Sequence, residues 1–195
     1  MKEIALLWDK DTLFRRYLSD KGFDCEVVTP GLLVAPFFSF IGYKLIIVQA
    51  GFGNELYSRI LPGLRANSVP IKNFVKAGGT LLVSGALSNK NAYNWLPTKI
   101  EYVMEKRRVK IEAVKEHKAA MIVEKEECMC DGYFKGVEAE TEWGVILRIK
   151  EEWDKDKKGK VKAILVVLEY GAGEIIATTI HEYPSERFIA YCVGK

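Results

Sequence analysis

Residues 44–86 constrain this chain more than any other stretch, because a strand, a glycine turn, a long helical stretch and a second strand follow one another there without a break. Lys44-Leu-Ile-Ile-Val-Gln49 is a short apolar run with β-branched residues, and Ala50-Gly-Phe-Gly-Asn54 follows at once. A run of that kind closed by a glycine turn is the pattern of a central parallel strand, buried on both faces. Ile71, Phe74 and Val75 then recur at helical spacing up to Gly78-Gly79, where a left-handed helix stop puts glycine. Thr80-Leu-Leu-Val-Ser84 supplies the next strand, closed by Gly85-Ala86. Together these make a right-handed βαβ crossover with its two strands side by side. Sheets of this type bind ligands at the carboxyl ends of their strands. A site is therefore expected around Gly51, Phe52, Gly53 and Asn54 on one loop and Ser84 and Gly85 on the other.

The flanking segments extend the same pattern and then depart from it. Ile4 to Trp8 reads as a first buried strand, and Asp9 to Thr12 as the start of a helix carrying Leu13, Phe14, Tyr17 and Leu18 on one face. Cys25 to Thr29 is a second strand, and the apolar run 32–40 a short helix or packed loop, with Phe37 to Phe40 as an alternative interaction patch. One or two helical turns are expected at 91–97. Beyond Pro97 apolar and polar residues alternate at 99–104, 108–114, 137–153 and 161–170, as antiparallel strands with one wet face do. The charged stretch 154–160 reads as a hairpin tip. An apolar hairpin turns at Gly171-Ala-Gly173 and ends at Ile180, and Pro184 suits the first turn of a last helix reaching Cys192.

A length of 195 residues suits one domain. The expected organisation is a single α/β domain over 1–195, with its core at about 1–97 and 160–195 and a β-rich insertion at about 98–159. A hydrophobic content of 49% beside 28% charged residues is that of a soluble globular protein. No run approaches the ~18 apolar residues of a membrane span and no signal pattern opens the chain, so a cytoplasmic location without membrane contact is expected. A net charge of +3, evenly mixed, gives no footprint for nucleic acid. Four cysteines, at 25, 128, 130 and 192, form neither a C-x-x-C pair nor a disulfide framework. No cofactor is expected, and no metal either, because Cys128-Met-Cys130-Asp131 lacks a second ligand pair. Gln49 is the only glutamine among many lysines and glutamates, a bias matching thermophile composition.

Several side chains near the expected strand ends could carry chemistry. Gly51 and Gly53 allow a sharp turn that leaves N–H groups free for a carboxylate, phosphate or oxyanion, although sterics alone also explain glycine in a tight turn. Ser84 stands at an elbow position without the G-x-S-x-G pattern, so it reads as a nucleophile or as a structural serine. His181, one of two histidines, follows an apolar strand, with Glu182 adjacent as a candidate orienting acceptor. Asp9 and Asp11 end the first strand, but a receiver-type acidic pocket needs an aspartate after the third strand, where Gln49 and Ala50 stand.

Three stretches resemble the class I glutamine amidotransferase-like superfamily, and in detail its non-amidotransferase relatives such as the amino-terminal domain of some biotin-protein ligases. Leu45 to Gly53 resembles the family's apolar strand and oxyanion loop. Ile71 to Val83 resembles the helix and strand leading to the cysteine elbow, and Tyr170 to Glu182 the hairpin ending in His-Pro-Glu. The likeness covers about 1–95 and 160–190. It implies a flavodoxin-like three-layer sandwich with a mostly parallel central sheet, to which 98–159 adds an antiparallel insertion. It also implies that His181 occupies the catalytic-histidine position, with Glu182 beside it. The family's cysteine position falls on Gly85, and no thiol is near. A thiolate attacks the glutamine amide in that family, so glutamine hydrolysis is not expected. The expected function is a domain that binds an unknown small molecule or serves assembly. The alternative is a hydrolase or lyase using Ser84 or Asp9 with His181 and a backbone oxyanion hole at 51–54. A homodimer paired through the strand edges of the β-rich region is a further expectation.

Overall fold

A computed structural model of the chain describes residues 2–88, 91–137, 141–150 and 161–195. Four short strands open the fold: β1 (Ile4–Leu7), β2 (Cys25–Val28), β3 (Leu45–Val48) and β4 (Thr80–Val83). Every residue of β1, β3 and β4 is buried, as strands covered on both faces require. The four pair in parallel in the order β2-β1-β3-β4, and β9 (Gly173–Thr178) adds to β4, also in parallel. Their carboxyl ends therefore share one edge. The connections 8–12, 49–59 and 84–88, and the segment 179–185 after β9, all leave from it.

Helices cover both faces of this parallel part. On one face α1 (Leu13–Asp20) and α5 (Glu186–Cys192) set Phe14, Leu18, Phe188 and Ile189 against Ile4, Leu6, Leu45 and Ile47. On the other, α2 (Pro30–Leu33), α3 (Ile60–Ala66) and α4 (Ser68–Lys76) set Leu33, Ile60, Leu64, Ile71 and Val75 against Ala5, Leu7, Ile46 and Val48. The helical stretch expected between the two strands is thus two helices, parted at Asn67, whose Nδ2 donates to the carbonyls of Leu33 and Gly63 at 3.1 and 3.0 Å. Pro184 lies ahead of α5 rather than in its first turn, because Ser185 is the cap and its Oγ accepts from Phe188 N–H at 3.2 Å. Residues 91–97 form turns, and in the run 37–40 Phe37 is exposed while Phe40 is buried.

The remaining strands correct the expected fold class. β5 (Glu101–Ala113), β6 (Glu127–Lys135), β7 (Gly144–Ile149) and β8 (Ala163–Tyr170) do not hang off a parallel sheet as an insertion. They continue the sheet through the antiparallel β8–β9 pair and close on themselves as a four-stranded barrel, β8-β6-β5-β7-β8. Among the described residues five of the nine strand pairings are antiparallel, so the sheet is mixed and the flavodoxin-like, mostly parallel sandwich is set aside. The physical reason is β5, where two short strands were expected and one of 13 residues runs. Its register shifts between Met104 and Arg107, and such an irregularity bends and twists a strand. Its first part lies on β6 while Ile111 to Ala113 reach β7, so one strand joins two neighbours and the circle closes. The expected hairpin tip at 154–160 falls outside the described residues. Among those residues no helix is long and apolar enough to cross a membrane.

Candidate functional site

The glycine loop after β3 does meet the loop after β4, but by using up its own donors. Gly51 N–H donates to the carbonyl of Gly85 at 2.8 Å, Gly53 N–H to that of Ala86 at 3.0 Å, and Asn54 N–H to that of Gly51 at 3.0 Å. The N–H groups expected to be free are thus engaged by backbone. Gly53 is a steric requirement, since a Cβ there would stand 2.8 Å from Ala92 Cβ and 2.9 Å from Ala86 Cβ. Phe52 is fully buried and meets Tyr93 and Trp95 edge to face. Asn54 reaches across with Nδ2 to the carbonyl of Leu87 at 3.2 Å.

Two tyrosines from outside the parallel part hold the 84–88 loop. Tyr93 Oη donates to the carbonyl of Ser84 at 2.9 Å and accepts from Ala86 N–H at 3.0 Å. Tyr102, on β5, donates to the carbonyl of Asp131 at 2.8 Å and also bonds the backbone of Leu87. Burial pushes both phenols up, so they remain neutral donors. Between them Leu87 takes a left-handed conformation, φ 51°, which it alone adopts among described residues other than glycine. That conformation costs a side-chain-bearing residue about 1–2 kcal/mol, offset here by the contacts on both sides of the loop.

The chemical centre comes from β6. Asp131 is wholly buried, and Nδ1 of His181 lies 3.0 Å from each of its carboxylate oxygens. Oδ2 meets the ring in hydrogen-bond geometry, while Oδ1 has no hydrogen-bond partner among the described residues. Two backbone bonds fix the pair, Asp131 N–H to the carbonyl of Thr179 at 2.7 Å and His181 N–H to that of Met129 at 2.8 Å. The His181 side chain is 44% exposed. An ionised carboxylate only accepts, so Nδ1 carries a proton and Nε2 is the nitrogen left for a ligand. Asp131 also packs on Gly85, where a Cβ would stand 3.0 Å from Asp131 Cβ and 3.2 Å from Oδ2. The aspartate thus fills the space a side chain at 85 would need.

The other expected site residues lie in different surroundings. Asp9 accepts from Arg59 N–H at 3.0 and 3.1 Å and from the Ser58 hydroxyl, tying the end of β1 to the start of α3. Glu182 accepts from Met129 N–H at 3.1 Å with Oε1 and is not the acceptor for His181. Ser84 is half-buried, its N–H bonded to the carbonyl of Val48 at 3.0 Å, and among the described residues no hydrogen bond joins it to His181. Cys128 and Cys130 have sulfurs 3.5 Å apart and are wholly buried; their mutual contact and burial push the Cys128 thiol up, away from the reactive thiolate. A roomy cavity of about 940 Å³ opens at the opposite, amino edge of the sheet among Phe38, Phe40, Phe74 and Gly79, but neither imidazole nor carboxylate lines it. The hydrogen-bonded pair of Asp131 and His181 lies instead at the carboxyl edge. Asp131 is not announced by the sequence, where Cys128-Met-Cys130-Asp131 reads only as an incomplete metal corner. Among the described residues no group of three or more ligating side chains could hold a metal.

No family model and no curated protein sequence matches the chain. Solved structures do match in fold. A cytoplasmic protein of Salmonella typhimurium aligns with TM-score 0.60 and 16% identity over 100% of this chain and 98% of its own. PurLQS of Thermotoga maritima aligns with TM-score 0.59 and 13% identity over 100% and 92%. A putative ThuA-like protein of Bacteroides uniformis aligns with TM-score 0.50 and 12% identity over 97% and 84%. At such identities the likeness is one of fold.

Proposed function

We propose that this chain is a glutamine amidotransferase-like domain without the thiol chemistry, a module that binds a small molecule at the carboxyl edge through His181. One observation carries the reading: Asp131 lies against Gly85, in the space of a nucleophile's side chain, and holds His181 Nδ1. A buried acceptor behind a half-exposed imidazole fixes the ring and its tautomer, so the outer nitrogen presents one directed polar contact. On this reading the 195 residues act as one cytoplasmic unit in which 98–159 supplies Asp131 and Tyr102. A hydrolase built on Ser84 or Asp9 finds less support, since Asp9 is committed to Ser58 and Arg59 and the N–H groups of Gly51, Gly53 and Asn54 are engaged. The test is a thermal-shift screen of carboxylates, amides and phosphates on the wild type and on His181→Ala. A ligand that raises Tm only when His181 is present supports the reading, with glutamine hydrolysis at background. Failure of every class, or shifts equal in both proteins, counts against it.

A further inference from the structure

We infer that His181 is a general base, positioned by Asp131, that takes a proton from a bound small molecule without forming a covalent bond to it. This rests on the reading above that the carboxyl edge is a ligand site, and it names the chemistry done there. Three observations point the same way. Asp131 is fully buried with both oxygens 3.0 Å from Nδ1, which leaves Nε2 as the outward nitrogen. Residue 85 has no side chain and no room for one, so no group stands there to attack a substrate. The loop N–H groups of Gly51, Gly53 and Asn54 are bonded to backbone carbonyls, so they offer no oxyanion hole and acyl transfer loses its main electrostatic support. Proton abstraction needs a placed base and no attacking side chain, and the Asp131–His181 pair supplies that base.

The edge also carries exposed apolar side chains. Leu13 follows the loop after β1, Leu56 and Tyr57 lie on the loop after β3, and Tyr183, two residues past His181, stacks on Phe14 at 4.8 Å. They favour a substrate with an apolar or aromatic body bearing an acidic C–H. In the step, Nε2 takes that hydrogen as a proton and the C–H electron pair moves into a new π bond. The leaving atom departs with the pair of the bond that breaks, and Nε2–H returns its proton to water. Asp131 keeps its bond to Nδ1–H throughout and is a positioning residue.

The probe is 5-nitrobenzisoxazole, an uncharged aromatic whose C–H loss opens the N–O bond to give a nitrile and a coloured phenolate. Wild-type protein is expected to outpace an equal concentration of free imidazole by about 10²-fold. His181→Ala should fall to the buffer rate. Asp131→Asn should lower kcat at least about tenfold while KM holds, because the substrate touches the imidazole and not the carboxylate. His117→Ala should change nothing: its Nδ1 accepts from Ala119 N–H at 3.0 Å and its Nε2 lies 3.8 Å from Glu174, toward the amino end of β9. With only two histidines in the chain, the imidazole chemistry divides cleanly. A wild-type rate equal to that of His181→Ala overturns the inference. If His181-dependent ligand shifts persist in that case, the base falls and the binding site stands; if they are absent too, both fall.

Discussion

Gly85→Ala probes the contact on which the site is built. The new methyl would stand 3.0 Å from Asp131 Cβ and 3.2 Å from Oδ2. Carbon atoms meet comfortably at about 3.5–4.0 Å, so strand β6 or the 84–88 loop must give way by roughly half an ångström. Neither is loose. Asp131 is pinned to Thr179 at 2.7 Å and the loop is tied to Tyr93 at 2.9 and 3.0 Å. Forcing one carbon into such packing costs about 1–3 kcal/mol. In a chain of this size that lowers Tm by roughly 2–12 °C. Urea denaturation followed by near-UV circular dichroism measures the cost, and binding through His181 should weaken with it as the carboxylate is displaced. Gly31→Ala is the control: Gly31 lies in α2 with open space around its Cβ position, so the change should be neutral or slightly stabilising. Gly85→Cys should be at least as costly as the alanine and should confer no glutaminase activity. A Gly85→Ala protein within about 0.5 kcal/mol of wild type, the range of an indifferent surface change, would mean that Asp131 does not fill that space.

Three further outcomes follow. Asp9→Ala removes the acceptor for Arg59 N–H and Ser58 at the start of α3 and should cost about 1 kcal/mol in denaturant melts; an unchanged midpoint would free Asp9 from that structural duty. Tyr93→Phe leaves Ala86 N–H without its buried acceptor and should cost about 1–3 kcal/mol, with no loss telling against the clamped loop. Burial pushes the Cys25 thiol up to about 12, whereas an unfolded thiol titrates near about 8.5. The folded state therefore keeps the proton longer. Its contribution is complete below about pH 8.5 and falls by about 1.4 kcal/mol per pH unit above it. It is gone once the pH passes the folded value. Stability measured at pH 7.5, 9 and 10 should decline, and more shallowly in Cys25→Ala; parallel slopes would refute the assignment.

The parallel part was legible because continuous apolar runs such as Leu45–Val48 and Thr80–Val83 leave little choice of structure. The meeting of the 51–54 and 84–86 loops followed from strand direction alone. What periodicity does not carry is which strands become neighbours. Alternation at 101–113 marks an antiparallel strand, but barrel closure depends on the register shift between Met104 and Arg107, which no residue type announces. Asp131 was hidden for the same reason, since its partner His181 lies 50 positions away across the Cys130–Ile180 bridge. Glu182 drew attention by adjacency. Yet successive residues in extended chain face opposite ways, and its carboxylate bonds Met129 N–H instead.

The two backbone bonds that stitch β6 to the segment after β9 have a consequence for how the pair can be watched. Asp131 N–H and His181 N–H each point across that seam, at 2.7 and 2.8 Å. Solvent can claim either proton only when the seam parts, and parting it separates the acid from the imidazole. Deuterium uptake at these two amides, read residue by residue, therefore times the lifetime of the assembled pair. A ligand lodged on the histidine should slow both in step.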